Sequence, residues 1–102
     1  MTDIIETKAG RMIEVRQPTR REAMRLLRLW GKASEVQMWL GQAMLAACVR
    51  SLDGTPVMAP ETPDKAEALV ERLDDDGLIA IADWLDKLPA PDPKEFQDAV
   101  KN

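Results

Sequence analysis

Apolar residues along this chain recur with two periods, one suited to strands and one to helices. Ile4 and Ile5, then Met12, Ile13 and Val15, flank Ala9-Gly10 and read as two short strands joined by a tight turn. Val49-Arg-Ser-Leu-Asp-Gly-Thr-Pro-Val57 repeats that shape around Asp53-Gly54. Both of those turn residues tolerate the positive φ that a primed hairpin turn requires, and this turn matches the twist of the flanking strands. Two small hairpins therefore punctuate an otherwise helical sequence.

Pro18-Thr19-Arg20-Arg21-Glu22 is a helix start, with Thr19 as cap and Glu22 placed to reach back to the capping amide. The helix is expected to run to about Trp30 and stop at Gly31, packing through Ala23, Met24, Leu27 and Trp30. A second helix is expected from Ser34 as N-cap to about Cys48, turning Val36, Trp39, Leu40, Ala43, Met44 and Ala47 inward. Gly41 weakens it by about 1 kcal/mol relative to alanine, which a close helix crossing would explain.

Pro56, Pro60 and Pro63 force an irregular run. A third helix, about Asp64 to Leu73, packs through Ala66, Leu69, Val70 and Leu73 and is broken by Asp74-Asp75-Asp76-Gly77. A fourth, about Gly77 to Leu88, packs through Leu78, Ile81, Ala82, Leu85 and Leu88, with Asp75 or Asp76 as its cap. Pro89-Ala-Pro-Asp-Pro93 reads as an extended linker, followed by a short amphipathic tail around Phe96, Ala99 and Val100. The expected fold is α+β and helix-dominated: an N-terminal β-hairpin, two helices, a second short hairpin at Asp53-Gly54, and two further helices. Residues 1–88 form one globular domain, with 89–102 as linker and tail.

Composition narrows the chemistry. The 102 residues include no histidine, the commonest general base and transition-metal ligand, and a single cysteine, Cys48, expected to be a buried core thiol. No apolar run approaches the roughly 18 residues needed to span a bilayer, and Asp3 and Glu6 stand where a secretory signal would be basic; a cytoplasmic protein is expected. The net charge of −4 conceals an asymmetry, with eight basic and four acidic residues in 1–32 against six and fourteen in 33–102. The two parts should attract each other.

Each candidate site has a plain structural reading beside it. The Asp74–Asp76 triplet lacks the alternate-position oxygens of a calcium loop, so helix capping is expected rather than metal binding. Glu67/Glu71 and Asp83/Asp86 are helix-face acids, without the cleft or apolar surroundings that carboxylate catalysis needs. Neither catalytic residues nor a cofactor or metal are expected. Arg21, Arg25, Arg28 and Lys32 form a stripe on the first helix that could follow a phosphate backbone while Trp30 stacks on a base. A pI near 4.8 argues against nucleic acid and for a solvated or partner-facing stripe. Met12, Met24, Met38, Met44 and Met58 suit either a core or an adaptable partner surface, and taken singly each is expected in the core.

The order of Gly10-Arg-x-Ile-x-Val15, Pro18-Thr19, the Val49–Val57 hairpin and Glu71-Arg-Leu-Asp-Asp-Asp-Gly-Leu78 resembles the tail assembly chaperones of long-tailed bacteriophages and prophages, over roughly residues 3–88. That resemblance implies a non-enzymatic protein of the bacterial host cytoplasm that binds the tape measure protein and keeps it soluble until tail tube subunits assemble around it. In some members a ribosomal frameshift gives a longer form. Tape measure protein, tail tube subunits and further copies of the chain are the partners to expect, with no membrane. The partner-binding residues singled out are Arg21, Arg25, Arg28 and the tail residue Phe96. The alternative is a small nucleic-acid-binding regulator using the basic face of the first helix.

Overall fold

A computed structural model describes residues 2–88. The elements follow in the order β1 (Asp3–Glu6), β2 (Met12–Val15), α1 (Arg20–Trp30), a 3-10 turn (Gly31–Glu35), α2 (Gln37–Ala47), β3 (Val49–Leu52), β4 (Thr55–Pro56) and α3 (Pro63–Asp86). Among the described residues the fold is α+β: three helices pack with one antiparallel sheet of order β1-β2-β3-β4.

The sheet arises because the two hairpins join edge to edge, β2 pairing with β3. Asp53 has φ 48° and Gly54 φ 84°, the pair of positive angles that the hairpin turn demands. Asp53 also anchors the junction. Its amide donates to the Met12 carbonyl at 2.8 Å, and its Oδ1 accepts from the Met12 amide at 2.9 Å. Val49 and Leu52 are three residues apart, so in an uninterrupted strand they would point to opposite faces. A register shift opposite Glu14/Val15 leaves Arg50 as the extra residue, and Val49 and Leu52 then both turn inward against Val15 and Ile13.

Two apolar clusters result. The larger lies between the sheet and α3: Ile13, Val15, Val49 and Leu52 from the strands meet Leu69, Leu73 and Ile81, with Ala46 and Cys48 closing one end. The smaller gathers Leu26 and Trp30 from α1, Ala43 and Ala47 from α2 and Ala66 from α3. Each tryptophan ring buries apolar surface while its N–H ties its own segment to one distant in the chain. Trp30 donates to the Pro60 carbonyl at 2.8 Å, Trp39 to Glu67 Oε1 at 3.0 Å and Trp84 to Asp3 Oδ2 at 2.8 Å.

Several helix details differ from the expectation. Ser34 does not cap α2: it sits in the 3-10 turn with its hydroxyl donating to the Gly31 carbonyl, and Val36 is the N-cap, without a side-chain bond. Gly41 is exposed and nothing lies within 4 Å of where its Cβ would stand, so no helix crosses there. The glycine at a close approach is Gly77, where a Cβ would come within 3.1 Å of Leu73 Cβ.

The third and fourth helices are one element, α3, interrupted at Asp74, which has φ 53° and ψ −173°. The break falls one residue earlier than the expected cap. Asp74 itself, not Asp75 or Asp76, accepts from the Gly77 amide at 3.3 Å and restarts the helix. Arg11 secures the break by donating from Nη1 to the Arg72 carbonyl at 2.6 Å while lying 3.8 Å from Asp74 and 3.5 Å from Asp53.

Candidate partner-binding face

Helix α1 begins as the sequence indicates. Thr19 Oγ1 accepts from the Glu22 amide, and Glu22 Oε1 accepts from the Thr19 amide. Glu22 is also the electrostatic hub of this end of the molecule, receiving Arg16 Nη2 at 2.9 Å and Arg50 Nη2 at 3.3 Å. The Thr19 amide, helped by the Thr19 hydroxyl and Arg16, holds its carboxyl below the ordinary glutamate range against the opposing effect of desolvation. This hub fixes the start of α1 relative to β3 and leaves the rest of the helix to project its far side outward.

Only Leu26 and Trp30 of α1 are fully buried, with Ala23 half-buried. Met24 and Leu27, assigned inward from spacing, are exposed instead: Met24 retains 63% of its accessible surface. The inward line of α1 therefore runs through Ala23, Leu26 and Trp30, with Leu26 in place of the expected Met24 and Leu27. Arg20, Arg21, Arg25 and Arg28 surround Met24 and line a shallow depression of about 620 Å³. Among the described residues, Arg25 is the one member of this group with an ion pair, to Glu61 at 3.4 Å. The attraction expected between the basic and acidic parts is thus realised by Arg11 and Arg25, with the Arg50–Glu22 pair running in the opposite sense, and leaves Arg20, Arg21 and Arg28 turned to solvent.

Trp30 is 2% exposed with its N–H engaged, so it cannot stack on a base. Phe96 lies outside the described residues, so the structure groups Arg21, Arg25 and Arg28 but says nothing of the tail.

The methionines depart most from expectation. Among the described methionines, Met12, Met24, Met38 and Met58 are exposed, and Met44 alone packs against a cluster. Leu29 and Val36 add to the apolar surface around α1 and the start of α2. Composition flagged the methionines; their spacing could not show that α1 and α2 bury small alanines and tryptophans in their place.

Elsewhere, Cys48 is free and buried, and burial pushes its thiol up to about 11 although Arg50 opposes the shift. It is a poor nucleophile there. Among the described residues no cluster of three or more His, Cys, Asp or Glu side chains is placed to hold a metal ion. No helix among them is long and apolar enough to cross a membrane. Neither the family models nor the curated proteins nor the solved structures contain a match to this chain.

Proposed function

We propose that this protein is a non-enzymatic tail assembly chaperone of a long-tailed bacteriophage or prophage, which binds the tape measure protein in the host cytoplasm and keeps it soluble during tail assembly. The observation that carries this reading is the exposure of Met24, Leu27, Leu29, Val36 and Met38 on the helical side of a domain whose core between the sheet and α3 is fully buried. Flexible thioethers beside leucine form an adaptable surface for a helix that would aggregate if left bare. The hairpin and capping motifs that carry the family resemblance lie in the elements that hold α1 and α2 in place.

Co-expression with the long helical protein encoded beside it tests the reading. The expected result is more of that protein in the soluble fraction, and co-purification of the two; equal solubility with and without this chain would overturn it.

A small nucleic-acid-binding regulator is the second reading, favoured by the grouping of Arg20, Arg21, Arg25 and Arg28. It predicts a salt-sensitive gel shift abolished by Arg21→Glu with Arg25→Glu. Overall negative charge and the burial of Trp30 weigh against it.

A further inference from the structure

We infer that the outward face of α1 docks an acidic amphipathic helix, whose apolar residues sit on Met24 and Leu27 and whose carboxylates meet Arg21, Arg25 and Arg28. This rests on the preceding reading only in taking the partner to be a protein.

The geometry sets the chemistry of the occupant. At 100° per residue, Arg21, Met24 and Arg28 lie almost in line along the outer surface of α1, with Arg20 and Leu27 on one flank and Arg25 on the other. Arg21 and Arg28 are about 10 Å apart along the axis, the distance between carboxylates two turns apart on a facing helix. Each guanidinium presents a rigid fork that suits a carboxylate in bidentate contact. Met24, with 63% of its surface accessible at the centre of this fence, gains from an apolar neighbour.

Other occupants fit less well. A lipid surface needs a broad apolar face with cations at its margins, whereas here Arg21 and Arg28 share the central line with Met24. A single-stranded nucleic acid needs an exposed aromatic, and Trp30 is buried. The rest of the chain helps to orient an acidic partner: α3 exposes Asp64, Glu67, Glu71 and Asp75, which repel it.

The test uses the full chain and labelled synthetic helices of about six turns. The first carries leucine at i, i+3 and i+7 with glutamate on either side, the second has lysine for every glutamate, and the third keeps glutamate but has serine for leucine. A short DNA duplex is the fourth probe. By fluorescence anisotropy the first should bind at least about tenfold more tightly than any other, and weaken as salt is raised. Arg21→Glu with Arg25→Glu should reverse the preference between the first two peptides, and Met24→Ser should narrow the gap between the first and the third.

Unchanged thermal unfolding shows that these exposed substitutions leave the fold intact. Equal binding of the glutamate and lysine peptides, tighter binding of the duplex, or wild-type selectivity in the arginine variant would overturn the inference. The two proposals fail separately. If the neighbouring helical protein is soluble alone while peptide selectivity holds, the chaperone reading falls and this surface stands. If the arginine variant still keeps that protein soluble, this surface falls and the chaperone reading stands.

Discussion

The two apolar clusters are built from different residues, and the difference separates what holds the fold from what the fold leaves available. Between the sheet and α3, branched side chains from β2 and β3, with Ile5 of β1, interdigitate with a long helix, and Ile13, Val15, Leu73 and Ile81 are fully buried. Between α1, α2 and the first half of α3, the buried residues are three alanines, Leu26 and Trp30, with Trp39 edge-on to Trp30 at 5.3 Å between ring centroids. Small alanines cover little area, and Met24, Leu27 and Leu29 of α1 and Met38 of α2 stay outside. One cluster is a folding core. The other is a thin seam that positions a surface.

The largest effect should come from the core. Leu73→Ala removes a fully buried side chain next to Gly77, and a loss of about 3 kcal/mol in urea unfolding is expected. A loss below about 1 kcal/mol would show the core to be no tighter than the seam.

Alkaline pH should come next. The folded Cys48 thiol stays protonated up to about 11, while in the unfolded chain it ionises near 9.0, so the unfolded state binds fewer protons between these values and stability falls as pH rises through them. The difference between wild type and Cys48→Ala, of order 1 to 2 kcal/mol at the top of this window, isolates the contribution. Glu22 acts in the opposite sense: its lowered folded value makes its contribution full above the ordinary glutamate range and lost as pH falls through the folded value.

In the seam, Trp30→Phe keeps most of the packing but leaves the Pro60 carbonyl without its donor, and a loss of about 1 to 2 kcal/mol is expected. Asp74→Ala removes the cap and places a Cβ residue without side-chain compensation at φ 53°, for about 1 kcal/mol in the same measurement. Met24→Ser, on the exposed face, should change stability by less than about 0.5 kcal/mol while weakening partner binding. A large loss of stability there would move Met24 into the seam and remove the contrast.

Local chemistry accounts for what could be read in advance. The Asp53-Gly54 turn, the Thr19/Glu22 capping box, the stop at Gly31 and the burial of Cys48 each depend on a few adjacent residues or on a short apolar run, and all are present. The inward sets of α3 were legible because residues three and four apart repeat through both of its halves. Ser34 failed as a cap because the chain after Gly31 tightens into a 3-10 turn, and Met24 and Leu27 failed as core because α1 carries apolar residues on more than one side. Of the candidate site, the arginine grouping followed from helical spacing, but the apolar centre within it did not.

The order of hairpins and helices was thus set by the sequence alone, since turns, caps and apolar periods act over a few residues. Which apolar side of α1 is buried, how two separate hairpins close into one sheet, and why four methionines stay exposed were decided only when the elements packed together. Burial depends on the volume and shape of neighbours distant in the chain, and no local pattern encodes them.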